Sequence, residues 1–258
     1  MLRNAVKMWL NGLKQGGTWT TLIWMAIFSL TFFLLLLAIG GASLAGTMLH
    51  PGFTQPLGTS STSASAATHL VVGVVFVYLL MLGATPFLTG GIYGLYGQAV
   101  QGIKVSWGTF WTMGKKLYGR GWGLIGYVIL YVMVIGIFAS IVIATLHVTG
   151  IILALAAFIL TLPWGLRMTG ELFVDQNTWG KSFRQSFQKR YYGQLLLGLA
   201  LGAIAYLLLI FLDVMLVHAL GAVGIALYLI LELVFAVAVP LWLFALYAAT
   251  KTGSSSQQ

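Results

Sequence analysis

Residues 122–146 read WGLIGYVILYVMVIGIFASIVIATL. After His147-Val148-Thr149 a second run, GIILALAAFILTLPWGLRMTGELFV, fills 150–174. The first run carries no charged residue, and each exceeds the ~20 apolar residues that cross a bilayer as a helix. Neither alternates with period two, so helix is the spanning structure open to them. Four similar runs occupy about 19–47, 70–98, 194–218 and 223–249. The reading is an all-α integral membrane chain of six transmembrane helices over 1–252, with a disordered tail at 253–258. All six runs overshoot a hydrocarbon core of about 30 Å, which requires tilt or extension beyond it.

Composition agrees. Of 258 residues 60% are apolar and 7% charged, with mean hydropathy +0.98. A soluble domain carries about 25% charged residues, so an ordinary cytosolic enzyme and a disordered chain are both excluded. Cysteine is absent, which removes disulfides, haem attachment and thiolate sites. The first apolar run, from Trp19 to about Met48, is too long for a signal-peptide core and is expected to be a span.

There are 13 Lys and Arg against 4 Asp and Glu, a formal charge of +9. The cations fall in four groups: Arg3, Lys7 and Lys14; Lys104, Lys115, Lys116 and Arg120; Arg167, Lys181, Arg184, Lys189 and Arg190; and Lys251. The connections around 48–69, 147–150 and 218–224 hold none. Cationic residues favour cytoplasmic connections. This pattern therefore places both termini in the cytoplasm and needs no nucleic acid to explain it.

The cationic connections are themselves patterned. Val6, Trp9, Leu10 and Leu13 form one apolar stripe. Trp107, Phe110, Trp111, Gly114, Leu117 and Tyr118 form a second, and Phe183, Phe187 and Tyr191 a third. Lys7, Lys14, Lys115, Lys116, Arg120, Lys181, Arg184, Lys189 and Arg190 accompany them as expected contacts to anionic headgroups. Each stripe reads as an amphipathic elbow helix at the inner headgroup level. Ser106 and Thr178 are placed to cap two of them, and Gly16-Gly17, Gly119 and Gly193 to turn the chain into the next span.

Pro86, Pro163 and Pro240 are 77 residues apart, each in the second span of a hairpin, and are expected to kink it. His50, His147 and His218 each close a first span. Elbow, outgoing span, turn and returning span thus make three parallel repeats, about 1–98, 99–176 and 177–252. The Ser/Thr-rich stretch Thr59–Ser65 is expected to be a flexible outer loop.

Two stretches carry a resemblance: Val105-Ser106-Trp107-Gly108-Thr109-Phe110 through Lys116-Leu117-Tyr118-Gly119-Arg120, and Glu171-Leu172-Phe173-Val174-Asp175 through Ser182-Phe183-Arg184-Gln185-Ser186-Phe187. They resemble the membrane domain that precedes some bacterial glycerophosphoryl diester phosphodiesterases, and its stand-alone relatives. The resemblance implies a six-span protein of the bacterial plasma membrane with a lipid-associated scaffold or transport-accessory role. In that family the hydrolase belongs to a separate soluble barrel, so no phosphodiesterase activity is implied for these residues.

Two acids lie deep in the apolar runs, Asp213 and Glu232. An intramembrane acid is a functional candidate by default, here a proton or cation site between the last two spans. The structural alternative pairs a protonated Glu232 with Tyr228 or Tyr78, and Asp213 with water or His218. Glu171 and Asp175 are expected to balance Arg167 and Lys181. Three of the four histidines (His50, His147 and His218, with His69 the fourth) could converge as imidazole ligands, but read as markers of the membrane boundary; no metal or cofactor is expected. Gly90/Gly94 and Gly198/Gly202 suit close helix packing within the chain. No phosphate-binding glycine loop, nucleophile elbow or metalloprotease motif is present, so no catalytic residue is assigned.

The expected function is a non-enzymatic, lipid-associated scaffold or accessory subunit, partnered by membrane lipids and by a membrane protein or a second copy. The alternative is a small transporter using Glu232 and Asp213. With no native cysteine, single cysteines at Thr149 or His218 should react with an impermeant maleimide from the side opposite to cysteines at Lys115 or Lys181. Labelling of the histidine-bearing connections from the cytoplasmic side would overturn this topology.

Overall fold

The computed structural model describes the backbone of residues 1–49, 61–189 and 191–255, with side chains except at 40–49, 61–67, 69–70, 213 and 252–255. Among the described residues the secondary structure is helical: α1 (Leu2–Leu13), α2 (Gly16–Leu49), α3 (Ser61–Val100), α4 (Trp107–Phe173), α5 (Trp179–Ser186), α6 (Tyr192–Leu220) and α7 (Ala222–Ser255). Five of these, α2, α3, α4, α6 and α7, are long and apolar enough to cross a membrane. The chain divides into two compact units, Met1–Leu22 with Pro86–Gln258, and Ile23–Thr85.

Helix α4 is two arms. Its dihedrals leave the helical region at His147 (φ 48, ψ −120), and the arms fold back side by side. The Tyr131 hydroxyl lies 2.7 Å from Thr161 Oγ1, and its ring meets Phe158. Gly221, between α6 and α7, has nearly the same conformation (φ 54, ψ −126). Three residues after each turn comes a glycine pressed on the carbonyl eight residues before it. A Cβ on Gly150 would lie 2.3 Å from the Val142 oxygen, and one on Gly224 would lie 2.0 Å from that of Leu216. The turns therefore equate His147 with Gly221, not with His218. His218 sits three residues earlier, with Nδ1 3.0 Å from the Val214 carbonyl of its own helix.

Burial is uneven along the helices. From the turns to the prolines, large apolar side chains are exposed: Val132, Met133 and Ile137 on one arm of α4, Ile152 and Leu155 on the other, Leu207 and Leu208 on α6, Leu229 and Ile230 on α7. Beyond the prolines lies the core, with Leu95, Tyr96, Leu117, Met168, Leu172, Leu241 and Leu246 almost completely buried. His147 to Pro163 is about 24 Å of helix and Gly221 to Pro240 about 28 Å, close to the thickness of the hydrocarbon core. Helices α3, α4 and α7 continue past their prolines.

The basic amphipathic segments contribute to this core, and one of them differs from its expected form. Segment 107–120 is no separate elbow: it is the opening of α4, continuous through Gly119 to the His147 turn. Phe110 is 1% exposed and packs on Phe87, while Leu117 lies over Gly90 and Gly94 of α3. Helix α1 runs along α7: the Trp9 indole donates to the Ala238 carbonyl at 2.8 Å, its ring meets Trp242 edge-on, and Gly12 faces Leu241. Helix α5 docks on α4 through Trp179, which donates to the Gly123 carbonyl at 2.8 Å, and through Phe187 against Trp164. The stripes are thus divided: Phe110 and Leu117 face other helices, while Leu10, Trp107, Trp111 and Phe187 keep over 40% exposure.

Local chemistry explains the breaks. The chain leaves α1 at Lys14 and Gln15, where Thr18 Oγ1 donates to the Gly12 carbonyl at 2.8 Å and Trp19 Nε1 to that of Leu13 at 2.9 Å. Between α5 and α6 it is Tyr191, not Gly193, that takes positive φ (59°). Thr178 holds the N-cap position of α5 without a side-chain capping bond, whereas the Ser106 backbone N–H donates to Thr109 Oγ1 at 2.9 Å. Ser61, Thr62, Ser63 and Ser65 fall in the first turns of α3 rather than in a loop, and Gly253, Ser254 and Ser255 in the last turn of α7; residues 50–60 and 256–258 lie outside the described residues. Gly198 meets Leu246, and Gly202 meets Trp242, so both small-residue pairs pack within the chain.

In the unit Ile23–Thr85, the outer parts of α2 and α3 meet through Phe32 edge-on to Tyr78 and Gly73 against Ile39.

The hairpin turns can be tested. Gly224→Ala and Gly150→Ala drive a Cβ into backbone and should cost roughly 1–3 kcal/mol of stability, read as a lower thermal midpoint in detergent. Gly136→Ala, with nothing within 4 Å, should leave stability unchanged or raise it by about 0.5–1 kcal/mol. Equal midpoints in all three would refute the turns.

Candidate functional site

The densest polar constellation joins the end of α4, the connection to α5 and the end of α7. Glu171, in the last turn of α4, is 5% exposed. Its Oε1 lies 3.1 Å from Lys251 Nζ, and its Oε2 accepts from Asn177 Nδ2 at 2.6 Å. Asp175 Oδ2 lies 2.7 Å from the same ammonium and accepts from the Tyr247 hydroxyl at 2.5 Å. One lysine thus holds two carboxylates, and Lys251 and Tyr247 share a face of α7 because they are four residues apart.

Glycine permits the approach. A Cβ on Gly170 would lie 2.1 Å from the Tyr247 ring, so only the bare backbone lets the tyrosine lie flat enough to reach Asp175. The connection is fixed from other sides too. Gln101 Nε2 donates to the Val174 carbonyl at 2.8 Å. Arg120 Nε donates to the Asn177 carbonyl at 3.0 Å, and its Nη2 to the Gln176 carbonyl.

These contacts bear on two sequence expectations. The acids form their ion pairs with Lys251 rather than with Lys181, while buried Arg167 keeps an electrostatic interaction with Glu171. Arg120, expected at the headgroups, gives its Nε and Nη2 to the backbone of the connection. The readable signal is position: Lys251 and the pair Glu171/Asp175 all stand at the C-terminal ends of their apolar runs, where opposite charges can meet. Arg190 lies outside the described residues.

The deep acids are not brought into this constellation. Glu232 is exposed on α7, with no hydrogen bond or ion pair among the described residues. Asp213 lies within α6, and its side chain is outside the described residues. His147 and His218 are exposed, while His50 and the His69 side chain lie outside the described residues. Among the described residues no group of three or more His, Cys, Asp or Glu is placed to hold a metal ion.

Chemically the cluster is a clamp. Its carboxylates are occupied by an ammonium, a hydroxyl and an amide, leaving no poised base or nucleophile. Family models, curated proteins and solved structures offer no match to this chain, so the resemblance rests on the quoted motifs alone.

Removing Lys251 strands two neighbouring carboxylates, one of them buried. The lysine side chain is 48% exposed, so solvent screening discounts the several kcal/mol of a fully buried pair. Lys251→Met should cost about 1–2 kcal/mol in thermal unfolding in nanodiscs, and Lys251→Arg much less. A Lys251→Met protein as stable as the native one would show that the clamp carries no load.

Proposed function

We propose that the chain is a non-enzymatic, six-span protein of the bacterial plasma membrane, a scaffold or accessory subunit that presents a rigid basic platform to the anionic inner leaflet, with both termini cytoplasmic. One observation carries the reading: the cations of the amphipathic segments are exposed beside exposed aromatic and aliphatic side chains, Leu10, Trp107, Trp111 and Phe187, while other residues of the same segments, Ala5, Phe110 and Leu117 among them, anchor these segments in the core. Arg3, Lys7, Lys14, Lys104, Lys115, Lys116, Lys181, Arg184 and Lys189 are all exposed. Among the described residues the ion pairs are those of Lys251 with Glu171 and Asp175, so these cations remain for lipid phosphates. Juxtamembrane cations of this kind are worth about 1 kcal/mol each at an anionic surface.

The six-span count takes α4 as two crossings and α2, α3, α6 and α7 as one each. A threefold repeat is supported by equivalent burial after each proline. Gly91, Met168 and Ala245 stand five residues beyond it, Leu95, Leu172 and Ala249 nine residues beyond it, and all six are buried. It is supported also by the elbow contacts. Phe87, Trp164 and Leu241, each next to a proline, meet Phe110 in the first turn of α4, Phe187 just after α5 and Gly12 in the last turn of α1 respectively. An accessory role gains support from Glu232, whose exposure on α7 at mid-depth calls for a partner membrane helix or a second copy to relieve an acid facing lipid.

In nanodiscs of mixed phosphatidylglycerol and phosphatidylcholine, the native protein should enrich the anionic lipid in its annulus. Lys115→Gln with Lys116→Gln should reduce that enrichment, by about fivefold per charge removed, without changing the fold. Equal enrichment by both proteins would sink the platform. A solute flux in proteoliposomes that Glu232→Gln abolishes would favour transport instead.

A further inference from the structure

At the level of the second and third prolines, the unit of Met1–Leu22 and Pro86–Gln258 contains a partly open cavity of about 270 Å³. Its wall is Leu162, Gly165, Leu166, Thr169 and Gly170 of α4, Pro240, Leu243 and Phe244 of α7, with Tyr93 of α3 and Leu199 of α6. A single glycine accounts for much of the space. Gly165 stands two residues after Pro163, and a Cβ there meets nothing within 4 Å. Two residues after the other prolines stand Leu88 and Trp242. Trp242 fills its place, donating to the Gly198 carbonyl at 3.1 Å and packing on Trp9.

The wall is apolar, with two hydroxyls. Thr169 Oγ1 is occupied by the Gly165 carbonyl at 3.0 Å. Tyr93 is held through its ring by Phe173 and Phe244, and its hydroxyl has no hydrogen-bond partner among the described residues. Apolar voids of this kind stay dry and take apolar guests, and this one has room for about nine groups of water or methylene size. The medium beside it is set by its neighbours. Leu160 of α4 and Leu201 of α6, just beyond the wall toward the turns, are both exposed on the arms assigned to hydrocarbon.

We propose that this cavity binds the hydrocarbon chain of an acyl lipid, with the Tyr93 hydroxyl donating to the carbonyl or carboxyl oxygen at the head of the chain. The chain could belong to a membrane phospholipid or to a free fatty acid, which share this chemistry. The inference uses the membrane-embedded reading but not the basic platform, since one concerns chains and the other headgroups.

The test uses the full chain in nanodiscs, with a phospholipid carrying a diazirine in its acyl chain in one arm and a free diazirine fatty acid in the other. After irradiation, adducts mapped by mass spectrometry should appear within 162–170 or 240–244 in at least one arm, and the arm identifies the source. In Gly165→Leu, which fills open space, those adducts should fall to background while the exposed arm 128–146 remains labelled. Tyr93→Phe should weaken capture at low probe concentration. Adducts confined to exposed arms with both probes, or cavity adducts that Gly165→Leu leaves unchanged, overturn the proposal. Should the leucine variant not fold, the map of the native protein decides alone.

Discussion

Hydrocarbon offers an apolar helix surface nothing worse than it would find against another helix, so the hydrophobic drive that builds soluble cores is missing between spanning segments. It returns only where water is the alternative. The distribution of burial follows this constraint. Ile137, Leu155, Leu208 and Ile230 stay exposed along the arms, while Leu95, Leu117, Leu172 and Leu246 are buried past the prolines. The arms must satisfy their backbone internally as helices, but they need not be covered. The ends must be covered, and the short basic segments cover them.

That division explains why polar contacts concentrate beyond the prolines. A charge among the arms would face lipid at a cost of a few kcal/mol, whereas Glu171, Asp175 and Lys251 meet beyond the prolines and satisfy one another. The clamp holds α4 to α7, and Arg120 and Gln101 tie the same connection to the opening of α4 and the end of α3. Indole N–H groups serve the same purpose on a smaller scale: Trp9, Trp179 and Trp242 each reach a backbone carbonyl of another helix. These bonds are directional, so they supply the register that apolar packing alone leaves loose.

Much of this was legible in the order of residues. Long apolar runs announce helices because bilayer thickness is fixed, and the grouping of Lys and Arg announces which ends lie together. The three prolines, read in the sequence as kinks, also mark the boundary between exposed arms and packed ends. What could not be read is where an amphipathic segment turns its apolar side. Phe110 and Leu117 carry the periodicity of a surface-lying helix, and period alone does not tell lipid from a neighbouring helix. Gly119 shows the same limit: a glycine before a span permits a break, but the helix continues through it. His218 misled for another reason, since the turn geometry is set by Gly221 and Gly224, whose backbone roles leave little trace beside a conspicuous imidazole. For the candidate site, the acids were noticed but their partner was not, because Lys251 is 80 residues from Glu171 along the chain.

The packing of α1 on α7 has a bearing on biosynthesis. The bond from Trp9 to Ala238 joins residues 229 apart, so α1 finds its seat only after the helices α2 to α6 and half of α7 have been made. Until then its apolar stripe has no protein to cover it, and Glu171 and Asp175 likewise wait for Lys251. The hairpin of α4 closes on its own residues and needs no such delay. Membrane insertion and completion of the core are therefore separate events, and the interval between them is when the nascent chain most needs the bilayer surface, or a chaperone, to shield α1.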